Sequence, residues 1–458
     1  MSGSEKGGRR LRPGAEVLER LRHTEFDGVV SAGADVLAEA DAARVMGFAL
    51  RLGQELFLSG FGTRTIESSV IAVSTTLGLN HLEVDVTART IHLQYAPPNQ
   101  VPTSMMRVTR VTQDPRNLHR MAALHRLTAH VVAGRLDVRQ AGKALERIQR
   151  TPPPWPWWVV VLGGAILAAS VTLQVGGSPS AALTAAAVWG LCERTGWLLA
   201  RMAVPFFFTI AIQAAVVVAL GIALLEWGLV HPYSTAVMAA NLVVLLPIGP
   251  LIALPQDGIN GFSLMTATRT VNVSLALAGM AAGVVTAAVL ADEAAADLYA
   301  PSIDHTVLPV WGALLVAAVG ALGNCLSMGG TRRHIPVALA AGLLAGGVNT
   351  AAVHLLGAPP LAVACAATTL GIAAALCSPL LRIPAAAVII PGAAGALLPS
   401  LQVYDSLTQL SLGRDDAGTA ALLALVASSA IGIGVVAGTL LGNALARALI
   451  RLQPAAAA

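Results

Sequence analysis

Asp257 and Arg269 are the residues of this chain whose types and spacing best suit chemistry on a small charged solute. A carboxylate takes up an ammonium group or a proton, and a guanidinium meets a carboxylate through two parallel N–H groups. They stand twelve residues apart, with Gly258 and Gly261 between them to turn the chain. Just upstream runs Val244-Leu245-Leu246-Pro247-Ile248-Gly249-Pro250-Leu251-Ile252-Ala253-Leu254-Pro255. A similar run, Val388-Ile389-Ile390-Pro391-Gly392-Ala393-Ala394-Gly395-Ala396-Leu397-Leu398-Pro399, lies far downstream. In both, two aliphatics precede a proline and a second proline follows eight residues later. This register pairs Pro247 with Pro391. A proline removes a helical hydrogen bond and frees a carbonyl. In hydrocarbon such groups are tolerated only where they line protein or a wet cavity. Two bland readings stay open: Asp257 as a helix cap, and Arg269 as a side chain snorkelling to the membrane face.

The elements that must hold these groups are apolar. Of 458 residues, 55% are hydrophobic and only 12% charged, with a net charge of +4 and a mean hydropathy of +0.70. A soluble chain carries about 25% charged residues. This excludes an ordinary soluble enzyme, a disordered chain and a nucleic-acid binder. A helix needs about 20 apolar residues to cross a bilayer. The expected fold is therefore an α-helical integral membrane protein, with ten spans: Trp157–Val175, Ser180–Leu199, Pro205–Trp227, Ser234–Leu254, Gly261–Leu290, Pro309–Ser327, Pro336–Leu356, Pro359–Leu381, Pro384–Tyr404 and Ala417–Arg447. Each proline-broken run falls in the fourth span of a five-span block, residues 157–304 and 305–458. Five is odd, so the second block is expected to be inverted. Broken helices at matching positions of inverted repeats point to a secondary transporter's binding site.

Loop charges orient the spans. With the Arg-rich N-terminus inside, Arg194, Arg201, Arg269, Arg332, Arg333, Arg382, Arg447 and Arg451 fall on the inner side. Only Arg414 falls outside, and the 292–304 loop is acidic. The positive-inside rule then predicts a multi-pass protein of the bacterial cytoplasmic membrane with both termini cytoplasmic. Trp155, Trp157, Trp158, Trp227, Tyr233 and Trp311 sit at span ends, as interfacial anchors do.

The first third is different. Residues 1–33 are Gly/Arg-rich and expected to be mobile; no apolar signal-peptide core is present. Residues 34–150 read as a cytoplasmic α+β domain. Its helices are Asp35–Ser59, Thr63–Leu77, Arg116–Ala133 and Val138–Arg150. A hairpin of His81–Val86 with Ile91, Leu93 and Tyr95, and a third strand Met105–Val111, follow from period-two alternation. Residues 151–156, Thr-Pro-Pro-Pro-Trp-Pro, form a stiff linker.

Other polar residues are weaker candidates. Glu193 beside Arg194 marks a span end or a proton-coupling group, and His354 is a second such group. Asn241, Asn324 and Asn349 are explained by interhelical hydrogen bonds. Asp405 reads as a wet loop residue. Cys192, Cys325, Cys365 and Cys377 lack metal or redox spacing. His119, His125 and His130 are spaced wrongly for one helix face. No catalytic motif occurs, so no enzyme, metal or cofactor is expected. The pairs Gly279/Gly283, Gly342/Gly346, Gly434/Gly438 and Gly438/Gly442 occur about as often as chance allows and say little about dimers.

Gln256-Asp257-Gly258-Ile259-Asn260-Gly261, followed by Arg269, resembles the end of the first membrane half of the threonine/serine exporter family. Gly47-Phe48-Ala49-Leu50-Arg51-Leu52-Gly53 with Leu58-Ser59-Gly60 resembles its soluble domain, and Ile383-Pro384 through Pro391, Pro399 and Tyr404 its second half. Two departures touch the substrate: Asn272 where the family often has Glu, and Asp405 where it often has Arg. The resemblance implies proton-driven export of small amino acids by alternating access. It places Pro247, Asp257, Gly258, Gly261, Arg269, Asn272, Pro391, Pro399 and Tyr404 along the path. The partners would be the amino acid, protons and lipid, with a homo-oligomer left open. Export of a small dicarboxylate and a membrane-anchored enzyme or sensor are the alternatives.

Overall fold

The computed structural model describes residues 21, 24–26, 29, 37–87, 89–98, 100–109, 117–228, 234–291, 308–411 and 416–452. Most of residues 1–33, Tyr233, the 292–304 loop and Arg414 lie outside that set. The chain divides into two compact units, Met1–Pro115 with Ala123–Thr151, and Arg116–Ala122 with Pro152–Ala458.

In the first unit, α1 (Glu39–Leu58) buries Val45, Phe48, Leu52 and Leu56 along one stripe, as residues three and four apart must on a helix. Gly60 takes φ +84° and Gly78 takes φ +101°, closing α1 and α2 (Thr63–Thr76). Three antiparallel strands follow in the order β1 (Leu82–Val86), β2 (Thr90–Tyr95) and β3 (Thr103–Val108). Leu82 faces Tyr95 and Val84 faces Leu93, so alternate residues fill one buried face. The third strand starts and ends earlier than Met105–Val111, since its pairing is fixed by Thr90↔Val108 and Tyr95↔Thr103. Helix α3 is Leu118–Val132. Helix α4 (Val138–Arg150) opens with a capping box: Gln140 N donates to Asp137 Oδ1 at 2.7 Å, and Asp137 N to Gln140 Oε1 at 3.2 Å.

The second unit is helical: α5 (Trp157–Gln174), α6 (Pro179–Arg201), α7 (Phe206–Glu226), α8 (Ser234–Val244), α9 (Ile248–Ile259) and α10 (Ser263–Ala291). Then come α11 (Val310–Ser327), α12 (Ile335–Leu356), α13 (Pro359–Leu381), α14 (Ala386–Ala396), α15 (Ser400–Ser411) and α16 (Ala417–Leu452). Seven of these are long and apolar enough to cross a membrane, and nine spans result if α8–α9 and α14–α15 each count as one. The segment expected as span 2 forms α6, which is not among them. Glu193, Arg194 and Arg201 lower its hydropathy.

Small residues let these helices touch. A Cβ at Gly163 would sit 2.7 Å from Gly323 O, so α5 and α11 cross backbone to backbone. All four GxxxG pairs are used within the chain: Gly279 and Gly283 lie on α7, Gly342 and Gly346 on α11, Gly434, Gly438 and Gly442 on α13. At one end of the unit, Arg194 stacks on Trp157 and Trp197, at 5.1 and 4.5 Å from the ring centroids. Arg332 lies over Trp155, whose indole N–H donates to Gly330 O. Cations and indoles thus share one level, as at a membrane interface.

Candidate functional site

Two helices of the second unit break in the same way. Helix α8 has 11 residues and α9 has 12, and so have α14 and α15. The chain bends by 55° at residues 245–247 and by 60° at 397–399. Each break ends in a proline. Ile248 N, just past Pro247, turns back to Leu246 O at 2.8 Å, and Ser400 N, just past Pro399, to Leu398 O at 2.9 Å. The carbonyls of Val244 and Ala396 thereby lose their ordinary helical donors, the N–H groups four residues on. Gly395 O would face Pro399, which has no N–H; Gln174 Nε2 from α5 donates to it instead, at 2.8 Å.

This corrects the register read from the sequence. The structural match is Pro247 with Pro399, 152 residues apart, as are the helix starts Ser234 and Ala386. Pro391 lies inside α14, and Pro255 inside α9. Pro255 fits against Gly432 of α16, where a Cβ would overlap it. A motif of two prolines matches its copy at either proline; only the hydrogen bonds tell which one opens the helix.

Both breaks line one cavity of about 110 Å³. Val243, Val244, Leu246 and Ile248 come from the first, and Ala394 and Leu398 from the second. Gly164 and Leu167 of α5, Trp189 of α6, and Asn324 and Ser327 of α11 complete the wall. Gly164 is required there, since a Cβ would collide with the Trp189 indole nitrogen. Trp189 is 9% exposed and Asn324 5%. Trp189 Nε1 and Asn324 Oδ1 have no hydrogen-bond partner among the described residues. A buried, unpaired polar atom costs about 1–3 kcal/mol, and both of these belong to residues of the cavity wall. Sequence reasoning missed Trp189 and assigned Asn324 to helix packing. The available signal was a tryptophan in mid-helix rather than at a span end. Asn241 serves packing through its Nδ2, which donates to Val237 O at 2.9 Å and to Ala185 O at 3.3 Å, while its Oδ1, like that of Asn324, has no partner among the described residues.

Asp257 and Arg269 are brought together elsewhere. Helix α9 ends in a Schellman turn: Gly261, at φ +86°, lets Phe262 N reach Asp257 O and Gly261 N reach Gly258 O. The chain reverses into α10, and Arg269 Nε meets Asp257 Oδ2 at 2.8 Å, with side chains 9% and 2% exposed. The two neutralise one another in this conformation. Arg269 therefore does not snorkel, and neither group stands open as a counter-ion for a solute.

The other expected residues are scattered. Asn272 is exposed on α10, Gly258 is exposed, and His354 is exposed in the last turn of α12. Glu193 is half-buried on α6 and does not line the cavity. Tyr404 is buried in the core with Val403 and Leu407. Asp405 is exposed and lines a second depression of about 200 Å³, with Gln402, Gln409 and Asp416. All four cysteines are free, and no group of three metal-ligating side chains occurs among the described residues.

No solved structure matches the chain. Two curated proteins do. It is 28% identical over 415 residues to a protein of Mycobacterium tuberculosis named "Probable threonine/serine exporter", covering 88% of this chain and 77% of that one. It is 26% identical over 426 residues to the "Threonine/serine exporter" of Corynebacterium glutamicum, covering 90% and 85%. The family model described as "Putative threonine/serine exporter" matches residues 47–291, which include the first break, Trp189 and the Asp257–Arg269 pair. The chain belongs to the threonine/serine exporter family.

Proposed function

We propose that this protein is a secondary exporter of threonine, serine or similar small amino acids, and that the cavity between the two broken helices is its binding site. One observation carries this reading: two helix breaks far apart in sequence line the same small cavity. Small volume suits a small solute; a cavity of roughly 150 Å³ admits benzene. The freed carbonyl of Val244 suits an ammonium group, and the N-terminal end of α9, at Ile248, suits a carboxylate. The names of the two relatives supply the substrate class.

The two halves are taken as inverted repeats of five helices, spanning the cytoplasmic membrane with both termini inside. Their packing supports this. Helix α7 lies on α10 as α13 lies on α16, and α5 lies on α6 as α11 lies on α12. Each second half-helix also crosses to the other repeat, α9 onto α16 and α15 onto α10. Alternating access would move one repeat against the other about the breaks. In a proton-coupled antiporter, protonation of Asp257 would remove the charge that holds Arg269 and free the cytoplasmic end of α9 for loading. The dicarboxylate alternative needs Arg269 as an anion ligand, and Asp257 already occupies it.

Uptake of labelled threonine into inside-out vesicles, with and without a pH gradient, tests the reading. Gradient-dependent accumulation, absent from vesicles lacking the protein, is expected. No accumulation of threonine or serine under either condition would sink it.

A further inference from the structure

We infer that Arg194 and Arg201, held against Trp197, form a binding site for the phosphodiester headgroup of an anionic lipid. The inference does not depend on which solute the protein moves. Helix α6 carries an outward stripe: Leu183, Leu191, Arg194, Leu198 and Arg201 fall on one face at helical spacing, and all are exposed. The stripe is apolar as far as Leu191, and its last turns bring in the two arginines on either side of Leu198. Arg194 lies 5.1 Å from the Trp157 ring centroid and 4.5 Å from that of Trp197, and Arg201 lies 4.8 Å from the Trp197 centroid. Two guanidiniums therefore share one indole and stand at most about 9 Å apart. Like charges held so close repel unless an anion joins them. Glu193 falls on another face of α6, and neither arginine has a carboxylate within ion-pair distance among the described residues.

The class of anion follows from the geometry and its level. A guanidinium stacked on a ring uses its π-face and keeps its in-plane N–H donors. Those donors match the oxygens of a phosphate, two at a time. Trp157 is the first residue of α5, one of the seven helices long and apolar enough to cross a membrane. The cluster therefore lies where that helix leaves the hydrocarbon, which is where lipid phosphates begin and where indoles settle. An anion at that level comes with acyl chains. Leu191 and Leu198, each about one turn from Arg194 on its own face, and Leu162 of α5 are exposed and give the chains an apolar surface. The first turn of α5 adds the positive end of its dipole. Arg201, in the last turn of α6, also offsets that helix's own dipole. Arg194 stands two turns earlier, where the dipole gives it no such role. Phosphatidylcholine carries a cation of its own, which the two arginines repel; phosphatidylglycerol does not.

The test uses the full-length protein, purified in detergent and stripped of lipid. Phosphatidylglycerol, phosphatidylcholine, glycerophosphoglycerol and inorganic phosphate are titrated in turn, and binding is read by native mass spectrometry and by the rise in melting temperature. The wild-type protein is expected to hold phosphatidylglycerol about tenfold or more tightly than phosphatidylcholine, and to respond to neither soluble phosphate at the same concentration. Arg194→Gln combined with Arg201→Gln should bring the two lipids to equal affinity. Each single variant, which keeps one guanidinium on Trp197, should lose part of the preference and serves if the pair does not fold. Arg194→Lys combined with Arg201→Lys keeps the charge and loses the fork, so it should fall between wild type and the Gln pair. Arg333→Gln removes an exposed arginine outside these stacks and should leave the preference unchanged. An equal loss in Arg333→Gln would assign the preference to general surface charge and overturn the inference. An unchanged preference in the folded Gln variants would leave the two arginines as membrane anchors and overturn it too. So would a wild-type protein with no preference between the lipids. Stabilisation by glycerophosphoglycerol or inorganic phosphate as strong as by the lipid would make this a site for soluble phosphates and overturn the lipid assignment.

Discussion

The two broken helices have the same skeleton and different ends. Each runs 11 residues, turns at a proline, and resumes for 12. The residue after the proline makes the same backward hydrogen bond in both. Beyond that they part. Helix α9 ends in a buried ion pair, Asp257 with Arg269, tying it to α10. At the matching positions, 152 residues on, stand Gln409 and Ala421. Helix α15 instead borders an open, polar depression with Gln402, Asp405 and Asp416. The lesson is that the backbone device occurs at both breaks while the buried charge pair occurs beside only one of them. One end carries a buried ion pair, and the other carries an exposed carboxylate.

The largest expected effect comes from removing one member of the pair. Asp257→Asn leaves a buried guanidinium without its counter-charge, which costs about 3–5 kcal/mol in comparable sites. A lower melting temperature in detergent and a large loss of threonine transport are expected. Arg269→Lys should fall short of wild type as well, because an ammonium lacks the guanidinium fork. The exchange Asp257→Arg with Arg269→Asp should recover part of the stability. If Asp257→Asn keeps both melting temperature and transport, the contrast between the two ends has no energetic content.

Next come the prolines, which set the structural register against the one read from the sequence. Alanine at Pro247 or Pro399 restores an N–H at the break and lets the helix continue. Transport should drop by about tenfold, the equivalent of one regained hydrogen bond of roughly 1–1.5 kcal/mol. Pro391→Ala lies inside α14 and should cost much less. Equal losses at Pro391 and Pro399 would return the register to Pro247 with Pro391.

The smallest effect is expected at the open end. Asp405→Asn changes an exposed side chain, so threonine transport and melting temperature should stay within about twofold and 1 °C, as surface substitutions do. A loss as large as that of Asp257→Asn would make the two ends functionally equivalent. Orientation can be checked alongside, with single cysteines at Thr331 and Thr419 and an impermeant thiol reagent. Thr419 should label from outside in intact cells and Thr331 should not; the reverse would turn the comparison upside down.

Much of this was written in the order of residues. Long apolar runs interrupted by Arg-bearing loops specify helices in a bilayer, because hydrocarbon leaves a backbone no other way to satisfy its N–H and C=O groups. Gly261 between Asp257 and Arg269 specifies a reversal, with Asp257 about one helical turn before it and Arg269 about two turns after it. Period-two alternation from Leu82 to Tyr95 specifies a hairpin. These are local facts, and local spacing decides them. The cavity is of another kind. Its wall draws on α5, α6, both breaks and α11, so no window of sequence contains it. An asparagine in an apolar helix reads the same whether or not its oxygen finds a partner. Distant elements answer each proline differently: Gln174 serves the Gly395 carbonyl at the second break, and Gly432 leaves room for the Pro255 ring inside α9. Sequence determined the helices and the turn; the tertiary structure decided that Asp257 and Arg269 close on each other rather than on a solute, and packing between distant segments decided where the backbone opens.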